Sequence, residues 1–241
     1  MLHKNVTIYN VTQKRNIEKI LTTFVILLLF FLFIFEAMTS VITGDIIDSR
    51  KQKSKDWVTS LKEVLSPFGE TPLQWEIYRG DEFQIEIKNP EEALLAAILI
   101  KAHLKTLKLD ARMSIGIGNK THDAEKISES NGSAFIHSGE LFETLKKLKV
   151  SLALRTGDTV IDEKMNLMIQ LALTFMDNWP AQSAEFVAIA IENPSLSQEE
   201  LAPKLGIKRA AVSRRQKRAQ FDLVLNLDRY FRTQIKQLAT L

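Results

Sequence analysis

The sequence contains no cysteine. That excludes disulfides, thiolate-bound zinc and thiol nucleophiles. Only four histidines occur (His3, His103, His122 and His137), scattered without metal-ligand spacing, which argues against a zinc enzyme. No internal repeat is visible, and the only low-complexity stretch is one apolar run near the N-terminus. What remains is ordinary for a globular chain: 241 residues, 45% apolar and 25% charged. That length holds one large domain or two modest ones.

The net charge of +3 conceals an asymmetry. Residues 201–241 carry ten Lys+Arg against two Asp+Glu, whereas residues 38–200 carry eighteen against twenty-five. An acidic body with a basic C-terminal arm points to an anionic partner for the arm. A solvated charged helix is the plainer alternative.

Residues 1–37 form an apolar extension. Ile20–Phe35 is apolar except for Thr22 and Thr23, yet its 16 residues fall short of the roughly 20 that span a bilayer. Lys4, Lys14, Arg15 and Lys19 precede it, as in an anchor or a signal peptide. No small-x-small cleavage site follows, because Glu36 stands at the exit. Two readings stay open. The run over 20–35 is a membrane anchor, or residues 1–37 lie upstream of a true start at Met38 and the protein is cytoplasmic.

From there the pattern predicts an α/β domain over 38–160. Val41–Asp45 reads as a buried strand ending in a carboxylate, followed by a polar segment and a helix over Asp56–Leu65. Leu73, Trp75 and Ile77 alternate with polar neighbours, as do Phe83, Ile85 and Ile87, and Gly80-Asp81 between them suits a type II′ hairpin turn. Asn89-Pro90-Glu91-Glu92 opens a helix over Glu91–Leu107, apolar nearly all round and therefore buried. A strand over Arg112–Gly118, a helix over Ser138–Leu148 and a strand over Leu152–Arg155 complete the order β-α-β-β-α-β-α-β. This implies a mixed sheet with helices packed on it, an α+β sandwich. Glu163–Trp179 reads as a connector helix within 161–180, and residues 181–241 read as all-α.

Asp45 at a strand end and Asp81 at a hairpin tip converge if their elements are neighbours. Paired carboxylates suit Mg²⁺, or Mn²⁺, that also holds a nucleoside triphosphate. The loop Asp48-Ser49-Arg50-Lys51 offers backbone N–H groups and a guanidinium for phosphates, with Arg79 and Gly80 on the hairpin nearby. The plainer alternative makes Asp45 a cap and Asp81 a turn residue. No catalytic residue is assigned.

Arg79-Gly80-Asp81-Glu82-Phe83 resembles the hairpin signature of GGDEF diguanylate cyclase domains. Arg112–Gly118 resembles the strand after the palm helix of the wider nucleotidyl cyclase and polymerase palm group. That resemblance implies a palm-like sheet, with metal-binding carboxylates at Asp45 and Asp81. Arg79 stands where the signature has its first glycine, and Thr71-Pro72-Leu73-Gln74 stands where a product-inhibition motif would precede the hairpin. These departures weigh against cyclic di-GMP synthesis and leave nucleotide binding. Over most of the chain from Met38, the runs Val41–Arg50, Tyr78–Gln84 and Ser130–Phe135 resemble the bacterial SatD family. That resemblance implies a start near Met38 and no particular reaction.

Ser197-Gln198-Glu199-Glu200 predicts a capping box. Counting Gln198 as position one, Ala202, Gly206 and Val212 fall at the small, turn and core positions of a helix-turn-helix. Pro203 interrupts the first helix, and Arg215 occupies a position that is usually apolar. The segment resembles winged or sigma-type helix-turn-helices, which implies duplex DNA as partner. Lys208, Arg209, Ser213, Arg214, Arg215 and Arg218 are then the DNA-facing residues. Phe221–Leu238 continues as a helix whose apolar stripe suits packing or a homodimer.

The sequence therefore reads as a regulator with a nucleotide- and Mg-binding palm-like domain and a DNA-binding helix-turn-helix. The alternatives are an active nucleotidyl cyclase or nucleotidyltransferase using Asp45 and Asp81, and a degenerate scaffold.

Overall fold

The computed structural model describes residues 38–47, 56–78 and 80–239. The expectations for residues 1–37, for Asp48, Ser49, Arg50 and Lys51, and for Arg79 lie outside the described residues. Among those described, no helix is long and apolar enough to cross a membrane.

Five strands form one mixed sheet in the order β2-β3-β1-β4-β5. They are β1 (Met38–Ile47), β2 (Trp75–Tyr78), β3 (Glu82–Ile87), β4 (Asp110–Asn119) and β5 (Leu152–Arg155). β1 pairs antiparallel with both β3 and β4, and β4 pairs parallel with β5. Eight α-helices accompany them among the described residues. The first four are α1 (Asp56–Leu65), α2 (Ala93–Thr106), α3 (Ser133–Leu148) and α4 (Thr159–Met176). The rest are α5 (Ala181–Glu192), α6 (Gln198–Lys204), α7 (Arg209–Ala219) and α8 (Phe221–Leu238). The chain is thus of the α/β class, in the element order the periodicity predicts.

The two faces of the sheet differ in chemistry. Ile42, Ile46, Phe83, Ile85, Met113, Ile115 and Leu154 alternate onto one face and join the main core with α1 and α2. The other face carries Thr43, Asp45, Glu82, Gln84, Arg112 and Ser114, because directly paired residues of an antiparallel ladder point the same way. α3 covers the β1-β4-β5 part of this polar face. Gly116 allows it: a Cβ there would stand 2.1 Å from the Ala134 carbonyl oxygen. Ser114 donates to the Ser138 carbonyl at 2.7 Å, and Thr43 donates to the Ser138 hydroxyl at 3.1 Å. Hydroxyls thereby satisfy the buried seam that apolar packing cannot fill.

Several boundaries differ from those predicted. β1 runs two residues past Asp45, which is paired on both sides rather than left at a strand end. Tyr78 pairs with Glu82, so three residues, not two, close the hairpin, with Gly80 at φ +90°. α2 starts after a 3₁₀ turn over Pro90–Glu92, with Asn89 accepting from the Glu91 N–H. α3 starts at Ser133, five residues before the predicted Ser138. α4 starts at Thr159 because Asp158 caps it, accepting from the Val160 and Ile161 N–H groups at 2.9 Å.

Met38–Leu241 pack as one compact unit. The segments separated on sequence, 38–160, 161–180 and 181–241, share one continuous core, in which Phe186, Val187, Phe221 and Phe231 belong to the same cluster as the sheet residues.

Candidate functional site

The carboxylates meet at one end of the polar face. Asp45 on β1 lies between Glu82 on β3 and Arg112 on β4. The Ile46 N–H donates to the Asp81 carbonyl at 3.0 Å, which holds the hairpin tip against the end of β1. Arg112 Nη1 reaches Asp45 Oδ2 at 3.4 Å. From the last turns of α3, Lys146 reaches Glu82 at 3.2 Å while resting over the Phe142 ring. Three acids and two bases thus converge from four elements.

Asp45 is the strained member. Its Oδ1 is buried without a hydrogen-bond partner. Burial pushes its pKa above the ordinary carboxylate value, Arg112 and Lys146 pull it down, and the neighbouring Asp81 and Glu82 push it up again. Burial also opposes the charge on Lys146, yet hydrogen bonds to Glu82 and Glu143 outweigh it and hold that pKa high. An acceptor oxygen with no donor, beside two further carboxylates, can take a proton or a divalent cation. Arg112 and Lys146 can meet phosphate oxygens. No group of three or more His, Asp or Glu poised around one metal position occurs among the described residues.

Sequence reasoning placed Asp45 and Asp81 together, and the structure brings their elements together. Arg112 and Lys146 were missed as site residues, since Arg112 was read only as the first residue of a strand and Lys146 belongs to no motif. Only the β1–β4 register and the length of α3 bring them in. Glu82, next to Asp81 in the chain, pairs with Asp45 across the strands and so lies on the site's own face.

The basic arm forms a second candidate surface. Ser197 and Glu200 make the predicted reciprocal capping box. Pro203 stands inside α6 without ending it. Residues 205–208 turn the chain, with Gly206 at φ +62°, a region that favours glycine. Ala202 and Val212 are buried where the two helices cross, and Gln198 donates to Gln216 at 2.8 Å. Lys208, Arg209, Arg214 and Arg218 are exposed and Ser213 is half-buried, whereas Arg209 also pairs with Glu199 at 2.7 Å. Arg215 is turned inward. Its Nη1 meets Glu185 of α5 at 2.6 Å, which accounts for a charge at a position that is usually apolar. Exposed Lys217 extends the cationic face.

No family model, curated protein or solved structure matches the chain.

Proposed function

We propose that this chain is a regulator. In this reading its α/β part is palm-like and takes a nucleoside triphosphate with Mg²⁺ or Mn²⁺ at Asp45 and Asp81, and its C-terminal helix-turn-helix takes duplex DNA. The observation that carries the nucleotide half is Asp45: a carboxylate with a buried, unpartnered oxygen, crowded by Asp81 and Glu82. A cation relieves that crowding, and Arg112 and Lys146 stand where phosphates would follow. The strand order, with a carboxylate on central β1 beside a carboxylate-bearing β2–β3 hairpin, supports the palm-like reading.

The DNA half rests on α7. Its exposed face carries Arg209, Arg214, Lys217 and Arg218 and no acid, and it follows a glycine turn after a capped helix. Phosphate neutralisation by such a face gives affinity that falls steeply with salt.

The test is a thermal-shift series with each nucleoside triphosphate, with and without Mg²⁺, beside fluorescence anisotropy with duplex DNA at several salt concentrations. Nucleotide stabilisation that requires the metal, and DNA affinity that falls with salt, are expected. No shift with any triphosphate returns Asp45 and Asp81 to scaffold roles, and no duplex binding at low salt leaves α7 an interaction helix.

A further inference from the structure

Lys146 stands between two sets of contacts. Its ammonium meets Glu82 Oε1 of β3 at 3.2 Å and Glu143 Oε1 of its own helix at 3.3 Å. It also lies 4.3 Å from the centre of the Phe142 ring, and its charge is felt at Asp45. Glu143 and Phe142 lie one turn back on α3, where neighbours at that spacing meet Lys146 whatever β3 holds. The Glu82 contact alone of these three ties the lysine to a strand. Lys146 is 31% exposed and Glu82 18%, so the pair can be reached from solvent.

We propose that Lys146 is the resident counter-ion of Asp45 and Glu82, holding the place of a divalent cation until metal and triphosphate arrive together. The role rests on the nucleotide reading of this site. Charge is the reason for it. A lone divalent ion approaching Asp45 and Glu82 meets two cations, Lys146 and the Arg112 guanidinium 3.4 Å from Asp45. Like charges held so close oppose its entry. A lone triphosphate meets three carboxylates, Asp45, Asp81 and Glu82. When both arrive, the metal takes carboxylates, and the phosphates take the released ammonium and the guanidinium.

The release costs Lys146 little. Its flexible stem can give up Glu82 while Glu143 and Phe142 stay within reach on the same helix. A fixed cation at that position would exclude the metal in every state. A lysine that can turn to a phosphate excludes the metal only while it comes alone. Metal and triphosphate are then coupled, each raising the other's affinity by the same factor.

The experiment titrates Mn²⁺ alone into the full-length chain and reads free Mn²⁺ by electron paramagnetic resonance. Three variants accompany the parent. Lys146→Met keeps the stem over Phe142 without its charge, Lys146→Arg keeps a cation, and the third combines Lys146→Met with Glu82→Gln. Circular dichroism checks that each chain folds. Lys146→Met is expected to bind Mn²⁺ about tenfold or more tightly than the parent, because a like charge beside the ion is gone. Lys146→Arg should stay at the parent's affinity, and adding Glu82→Gln should erase the gain. Equal Mn²⁺ affinity in the parent and Lys146→Met overturns the proposal, as does a gain that survives Glu82→Gln. Thermal shifts of the same chains with Mn²⁺ and each nucleoside triphosphate separate this role from the reading beneath it. Metal-dependent nucleotide stabilisation of the parent, without any Mn²⁺ gain in Lys146→Met, overturns the counter-ion and keeps the nucleotide reading. The Mn²⁺ gain with no nucleotide shift in any chain keeps Lys146 as the ion that excludes a lone metal, and sinks the nucleotide reading.

Discussion

Lys101, wholly buried on α2, meets Asp177 just beyond α4 at 2.6 Å and Asp110 on β4 at 2.7 Å. Ser151 lies 3.3 Å from the same ammonium and donates to Asp177 at 2.8 Å. Lys105 pairs with the other oxygen of Asp110 at 2.8 Å and bonds the Asp177 carbonyl. One buried cation therefore ties the sheet to the helices that follow it.

Removing that cation should leave two carboxylates short of a partner. Lys101→Ala is expected to cost about 3–5 kcal/mol, the range for breaking a buried pair from one side. Lys101→Met should cost less, because it keeps the packing of the stem. Urea unfolding of the two variants checks this. If Lys101→Ala unfolds at the parent's midpoint, the network contributes specificity and not stability.

Asp45 should make the protein less stable as pH rises. Its folded pKa lies above the ordinary 3.8, so across the window between the two values the folded state keeps a proton that the unfolded state has lost. Stability must fall through that window, with the full penalty present at neutral pH. Asp45→Asn should therefore raise the stability of the metal-free protein near pH 7, and the gain should fade as pH approaches 3.8. Chemical denaturation at a series of pH values measures it. An Asn variant less stable than the parent at pH 7 would show that the Arg112 contact outweighs burial.

Metal-dependent nucleotide stabilisation, if present, should require both carboxylates. A ligand at 100 times its dissociation constant adds about 2.7 kcal/mol to the folded state. Asp45→Asn and Asp81→Asn should each remove that gain while the domain still melts cooperatively. Arg112→Gln should weaken triphosphate more than monophosphate, since it would lose contacts to the terminal phosphates. Equal nucleotide shifts in the parent and both Asn variants would place any nucleotide elsewhere.

Local chemistry made much of the fold legible. The alternation of Phe83, Ile85 and Ile87, the Asn89-Pro90 helix start and the Ser197 capping box are short-range signals, and each element formed, although α2 itself begins only at Ala93 after a 3₁₀ turn. The α4 boundary was missed although its Asp158 cap is local, whereas the α3 boundary failed because its signal was a tertiary contact. α3 begins at Ser133 because Gly116 and Gly118 let its first turn press on β4, which no window around Ser133 displays. The candidate site was half legible for the same reason. Asp45 and Asp81 were legible as a pair of carboxylates, whereas the place of Arg112 and Lys146 beside them depends on strand register and helix length. Arg215 read as one more exposed cation until packing set it against Glu185.

That pair separates two kinds of arginine on α7. Arg214 and Arg218 are exposed, so replacing both with Ala should leave folding nearly unchanged. If α7 lies on duplex DNA, each lost phosphate contact should flatten the slope of log affinity against log salt by about one unit. Arg215 is 18% exposed and bonded to Glu185, so Arg215→Ala should instead lower stability, by roughly 1 kcal/mol for a partly exposed pair. Its slope should stay at the parent value once the folded fraction is accounted for. Glu185→Gln supplies the control, because it weakens the same pair from α5 without touching the cationic face. Unfolding curves and salt-dependent anisotropy on the same samples resolve the two effects. A flattened slope in Arg215→Ala, with stability unchanged, would mean that Arg215 leaves Glu185 for the phosphates, and that the α5–α7 contact opens on binding.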